Sequence, residues 1–160
     1  HGVATDSVAR FFGRDPEPGG LVRKGALSIV RVPFMPQVDY DRLLLACELN
    51  FVRGEDSWIR AHWARRPFVW QPYIQAGGAH LDKLDAFLDR ALAGAPAEVA
   101  RGLREFAHAW SGDGSVADAW PGFLALLPAI GTQLSAFVDG LEEQTDCCTR
   151  LAALIRQRLQ

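Results

Sequence analysis

The spacing of hydrophobic and polar positions changes several times along the chain, and each change marks an element. Residues 5–13 predict a short helix: Thr5, Asp6 and Ser7 supply capping oxygens, apolar positions follow, and Gly13 ends it. Residues 15–20 are a Pro/Gly loop. Residues 26–32 alternate and are rich in β-branched side chains, which predicts a strand. Pro33 and Pro36 then bracket a loop that holds Phe34, with Gln37 just beyond. Residues 39–47 carry helical spacing, with Leu43, Leu44 and Ala46 or Cys47 on one face. Residues 49–52 predict a short buried strand, Arg53-Gly54-Glu55-Asp56-Ser57 a turn, and residues 58–65 a helix with Ile59, His62 and Trp63 as its stripe. A third strand, residues 68–70, runs into Gln71-Pro72-Tyr73. Residues 81–93 predict an amphipathic helix with Leu84, Phe87, Leu88 and Leu92 inward, and residues 97–110 another. Gly112-Asp113-Gly114 breaks the pattern, and residues 121–160 are mostly helical, with interruptions expected near Pro128 and Gly131.

Strands alternating with helices imply an α/β fold with a small, mostly parallel sheet and a long helical C-terminal part. Three parallel strands with exposed edges are too few to stand alone, so the chain is expected to be a piece of something larger. The start at His1-Gly2, without an initiator Met, fits the same expectation.

Composition narrows the class. The chain has 160 residues, 49% apolar and 22% charged, enough for a core of its own. A net charge of −2 gives no basic surface for nucleic acid. Three cysteines, two of them adjacent (Cys147, Cys148), do not make a disulfide framework, and reduced thiols in the cytoplasm are expected. No uninterrupted apolar run reaches the roughly 18 residues of a membrane span. The best candidate, residues 123–130, is short and contains Pro128, so no membrane segment is expected.

In parallel sheets ligands bind beyond the carboxyl ends of the strands. That selects three segments: Phe34 and Gln37; Arg53, Glu55, Asp56 and Ser57; and Gln71, Tyr73 and Gln75. The helix start that follows the Arg53–Ser57 turn would offer unpaired N–H groups to phosphate, and Arg53 a bidentate donor for a diphosphate. Glu55 and Asp56 suit hydroxyls of a ribose or sugar. The competing reading of the turn is structural: Asp56 or Ser57 caps the helix and Glu55 matches its dipole. Phe34 either stacks on a base or plugs the core, and Tyr73 either reaches a phosphate or sits at a sheet edge. His62 reads as a hydrogen-bonded core histidine, His108 as structural, and His80 as a cap or ligand contact. Asp82/Asp85 and Glu142/Glu143 read as solvated helix faces. No zinc spacing, GxGxxG, P-loop or GxSxG occurs.

Longer motifs say more. Phe51-Val52-Arg53-Gly54-Glu55-Asp56-Ser57-Trp58 is followed by Arg66-Pro67-Phe68-Val69-Trp70-Gln71 and by Ala79-His80-Leu81-Asp82-Lys83-Leu84-Asp85-Ala86-Phe87. Upstream stand Pro33-Phe34-Met35-Pro36-Gln37 and Asp39-Tyr40-Asp41-Arg42-Leu43-Leu44. In order and spacing these closely resemble the EarP family, the protein-arginine rhamnosyltransferases of elongation factor P, most strongly over residues 20–95. The resemblance implies the C-terminal, Rossmann-like half of a two-domain GT-B glycosyltransferase. One nucleotide-sugar-binding domain would span residues 1–160, lacking its first strand. It implies inverting transfer of L-rhamnose from dTDP-L-rhamnose to an arginine of elongation factor P, with no metal or other cofactor. On matching positions, Phe34 would stack on thymine and Gln37 contact the base. Glu55 and Asp56 would hold ribose or groups near the diphosphate. Arg53, Ser57 and Tyr73 would position the diphosphate. The catalytic carboxylate would come from the N-terminal domain, so no catalytic residue is expected here. Gln71-Pro72-Tyr73-Ile74-Gln75 departs from the family's Ile-Tyr-Pro-Gln order. The alternatives are a non-catalytic α/β interaction module or another GT-B sugar-nucleotide enzyme.

Overall fold

The computed structural model describes residues 3–14 and 16–158. Asp15 of the expected first loop and Gln160 of the expected helical tail lie outside the described residues. The chain divides into two compact units, residues 1–40 and 41–160, with the division inside one helix.

The first unit holds α1 (Val3–Phe12), β1 (Leu21–Lys24), β2 (Leu27–Val30) and the start of α2 (Gln37–Ala46). β1 and β2 form an antiparallel hairpin in the register Leu21↔Val30 to Lys24↔Leu27. Gly25, at φ 60°, opens its two-residue turn, where a positive φ is required and glycine adopts it without strain. Val22 is the buried side chain of the pair. Lys24 lies over the Phe11 ring and donates to the Phe11 carbonyl, tying the hairpin to α1.

This corrects the expected topology: residues 26–32 contribute β2, but not to a parallel sheet. The alternation of residues 26–32 is equally compatible with either partner. The Gly25-Ala26 turn settles it by bringing Leu21–Lys24 alongside at minimal loop-closure cost.

The second unit carries the parallel element. β3 (Asn50–Arg53) pairs with β4 (Phe68–Gln71) in the register Asn50↔Phe68 to Arg53↔Gln71, and α3 (Glu55–Ala64) makes the crossover. Asn50 is buried and donates from Nδ2 to the Leu44 carbonyl at 3.0 Å, which anchors the strand start against α2. After β4 come a short 3-10 turn (Ala76–Gly78), α4 (Ala79–Ala91), α5 (Ala97–Trp110), α6 (Val116–Glu142) and α7 (Cys147–Arg158). Leu84, Phe87, Leu88 and Leu92 are buried as their spacing predicts, together with Val99, Leu103 and Phe106 of α5 and Phe123, Ile130, Leu134 and Val138 of α6. Each such side chain stabilises the fold by about 1.5–3 kcal/mol through removal from water.

Two helical expectations change. The stripe on α3 is Trp58, Ala61, His62 and Ala64; Ile59 and Trp63 are 49% and 54% exposed. The long tail breaks at residues 143–146 and not at Pro128, since α6 runs through both Pro121 and Pro128. Both prolines are exposed, so the carbonyls that lose their N–H partner lie where water can reach them. Because Pro128 does not interrupt the helix, the stretch Val116–Arg158 contains a window of mean hydropathy 1.4, long and apolar enough by length and composition to cross a membrane. Its buried residues, Phe123, Ile130, Leu134 and Val138, use that apolarity for packing within the unit.

Candidate functional site

The site grows from the ends of the parallel pair. The register sets Arg53 beside Gln71, so the turn after β3 and the segment after β4 leave the sheet together. Pro72 is buried and fixes the exit from β4, and Tyr73 follows it, 55% exposed. The Tyr73 ring then lies against Gly54. A Cβ on residue 54 would come within 2.9 Å of Tyr73 Cε2 and its hydroxyl oxygen. Gly54 also has φ 76° and ψ 172°, a conformation essentially restricted to glycine. Arg53 completes the group, its guanidinium carbon 5.3 Å from the Tyr73 ring centroid.

The turn is held from behind by two tryptophans. Trp70 donates its indole N–H to the Gly54 carbonyl at 3.2 Å, and the Trp58 backbone N–H donates to the same oxygen at 3.3 Å. The two indoles stack with centroids 4.6 Å apart and planes 22° from parallel. Neither tryptophan stands out as functional in the sequence: Trp58 opens the expected helix outside its stripe, and Trp70 ends the expected third strand.

Gly54 is the N-cap of α3, and no side chain caps that helix. The first turn of α3 therefore presents N–H groups and partial positive charge beside Arg53, flanked by exposed Glu55 and Asp56. The capping role considered for Asp56 or Ser57 is excluded by this geometry. Asp56 instead accepts from Arg60 Nε at 3.1 Å, and Arg60 also reaches Asp41. The Asp56 side chain remains 76% exposed, so its free oxygen faces solvent. Ser57 is half-buried in the first turn.

Phe34 and Gln37 belong to the first unit. Phe34 is fully exposed at 104%, so it does not plug a core. Gln37 is exposed at the first position of α2. Gln71 donates to the Trp110 carbonyl at 2.6 Å, a tie between β4 and α5.

The histidines separate by environment. Burial lowers the His62 imidazole below the ordinary histidine range, against the opposing effect of its bond to the Trp58 carbonyl at 2.7 Å. His62 is thus the hydrogen-bonded core residue the sequence suggests. His80 accepts from the Gln75 N–H at 3.4 Å and folds the 75–80 segment back. His108 bridges Asp85 at 2.9 Å and Asp113 at 3.1 Å, while Arg104 reaches Asp85 and Asp89. Asp85 is therefore part of a network joining α4 and α5 and not a solvated face. Glu142 likewise pairs with Arg65, which also pairs with Asp139 on α6. No cluster of metal-ligating side chains occurs among the described residues.

A parallel strand pair ending in a glycine turn, an arginine and an uncapped helix start defines an α/β protein with a cation and unpaired helix N–H groups gathered at its strand ends. Residues 1–156 match the family described as Elongation-Factor P (EF-P) rhamnosyltransferase EarP, and the chain belongs to that family. It is 45% identical over 133 residues to a protein-arginine rhamnosyltransferase of Pseudomonas aeruginosa, covering 83% of this chain and 35% of that protein. It is 34% identical over 159 residues to the protein-arginine rhamnosyltransferase of Pseudomonas putida, covering 99% of this chain and 42% of that protein. A solved structure, described as the structural basis for EarP-mediated arginine glycosylation of translation elongation factor EF-P, superposes with a TM-score of 0.84 at 30% identity. That match covers 98% of this chain and 50% of the other. These matches span between about a third and a half of the length of those three proteins.

Proposed function

We propose that this chain is the donor-binding, C-terminal half of a GT-B enzyme that transfers L-rhamnose from dTDP-L-rhamnose to an arginine of elongation factor P. The observation that carries the reading is the Arg53–Gly54–Tyr73 group set against the uncapped start of α3. In an inverting transfer a guanidine nitrogen attacks the anomeric carbon as its bond to the diphosphate oxygen breaks. A carboxylate takes the proton, and dTDP leaves. The leaving diphosphate gains charge in that step, and Arg53 with the α3 N–H groups would hold it. Tyr73 and Ser57 would add hydroxyl donors, and Glu55 and Asp56 would accept from ribose or sugar hydroxyls. Phe34 would stack on thymine and Gln37 would bond its edge. The proton-accepting carboxylate would belong to the remainder of the longer enzyme, so the 160-residue chain binds donor nucleotide and does not transfer rhamnose. No metal or other cofactor enters this reading, and its compartment is the cytoplasm.

Titration of the chain with dTDP, followed by NMR, tests the proposal. Perturbations are expected at residues 34–37, 53–57 and 71–75, with UDP weaker. Perturbations confined to residues 100–160, or no preference for dTDP, would refute it. Weak affinity is expected, because half of the cleft is missing.

A further inference from the structure

A second concave site lies in the larger unit, away from the strand-end turn. It encloses about 480 Å³ among α3, β4, α4 and α6, within the range of small-molecule pockets. Aromatic rings make its walls: Trp58, Trp63, Trp70, Phe87 and Phe137. None of Arg53, Glu55, Asp56, Ser57 or Tyr73 lines it.

Its polar groups are few and of one kind. Lys83 and Arg90 are the charged side chains of the lining, both exposed on α4, seven residues apart and so on the same helix face. Neither has an ion-pair partner among the described residues. This contrasts with Arg60, Arg65 and Arg104, each of which holds two carboxylates. His62 contributes a neutral imidazole. Its Nδ1 must carry the proton donated to the Trp58 carbonyl, which leaves Nε2 as an acceptor with no partner among the described residues. The Trp58 indole N–H, in the same wall, is buried with no hydrogen-bond partner among the described residues. An apolar, ring-lined cavity with two unpaired cations and no carboxylate in its lining is complementary to a flat apolar body that ends in an anion.

We propose that this pocket binds an aromatic anion, a small molecule with a planar apolar body and one carboxylate or sulfonate directed at Lys83 and Arg90. The body lies between the indole and phenyl walls, where water is displaced from ring surfaces on both sides. The anion stays at the open edge, where the two cations reach it without full desolvation. The Trp58–Trp70 stack floors the pocket.

The test uses anilinonaphthalene sulfonate and its uncharged counterpart phenylnaphthylamine, titrated by fluorescence into the 160-residue chain. The expected result is saturable binding of the sulfonate at one site per chain. Ala86, exposed on α4 and part of the lining, is replaced by Phe to fill the space, and sulfonate affinity falls by about tenfold or more. The double variant K83Q/R90Q, altered only at exposed positions, loses about tenfold toward the sulfonate and keeps its affinity for phenylnaphthylamine. A folded Ala86→Phe variant that binds the sulfonate like wild type overturns the site. Equal losses of both probes in the double variant, or no saturable binding by wild type, overturn the anion assignment. Should Ala86→Phe lower the melting temperature, the double variant decides. The outcome is independent of dTDP binding, which is read separately with the same proteins.

Discussion

Replacing Gly54 with Ala perturbs the strand-end turn through two effects that can be measured apart. The backbone at this position has φ 76° and ψ 172°, where an L side chain costs about 1–3 kcal/mol. The added methyl also meets Tyr73 Cε2 and the hydroxyl at 2.9 Å, closer than real Cβ contacts come. Tyr73 is 55% exposed, so it swings outward rather than forcing β4 to move. What that motion forfeits is its contact with Arg53, worth about 0.5–1 kcal/mol at an exposed site. The expected total is about 1.5–4 kcal/mol. At about 2–4 °C per kcal/mol for a chain of this size, the melting temperature falls by roughly 3–16 °C. Circular dichroism melts of wild type, Gly54→Ala, Tyr73→Ala and the double variant separate the parts. In the Tyr73→Ala background Gly54→Ala should cost only the backbone contribution. Gly94→Ala serves as a control, since its φ is 77° with nothing within 4 Å of the new methyl, and it should cost about 1–2 kcal/mol. A Gly54→Ala variant that melts within a degree of wild type would refute the geometry of the turn. Equal costs in the two Tyr73 backgrounds would show that the ring does not press on Gly54.

Arg53→Ala should weaken dTDP by about ten- to a hundredfold, the loss of one charge-assisted bond, and lower the melting temperature by only about 1–4 °C through its lost contact with Tyr73, as isothermal titration and calorimetry would show. Asp56→Ala should also lower dTDP affinity while its melting temperature stays put, because Gly54 is the N-cap and the Asp56–Arg60 pair is exposed; an earlier melt with normal binding would return Asp56 to a structural role. Trp70→Phe removes the donor to the Gly54 carbonyl and part of a buried ring, so it should cost about 1–3 kcal/mol in urea melts and weaken dTDP as well; full dTDP affinity would show that Trp70 does not hold the turn. Burial pulls the His108 imidazole down, but its bonds to Asp85 and Asp113 outweigh that and raise it above the ordinary histidine range. The stability it contributes is therefore complete below the unfolded value, about 6.5, and is lost as pH rises through the raised folded value. Urea melts from pH 6 to 9 should show this decline in wild type and a flatter profile in His108→Gln.

Local pattern was enough for most elements. Residues 97–110 read as the helix they form, and Leu84, Phe87, Leu88 and Leu92 are inward because their spacing leaves no other shared face. The candidate turn was legible too, since Arg53, Gly54 and the acidic pair follow a short apolar strand, and the longer motifs placed the chain in its family. Periodicity could not assign the partner of residues 26–32, because side-chain alternation is the same in an antiparallel hairpin and a parallel sheet. Nor could it tell that Pro128 sits on a solvated face, where its missing N–H leaves the carbonyl one turn earlier to water, so a helix expected to break runs on. Asp56 shows the same division: sequence allowed it to be a cap or a ligand group, and only the position of Gly54 at the helix start removed the first. Trp58 and Trp70 were invisible as supports of the turn, and Lys83 and Arg90 as unpaired cations at one pocket. Such roles depend on which neighbours come within about 3–4 Å, and chain packing alone sets those distances.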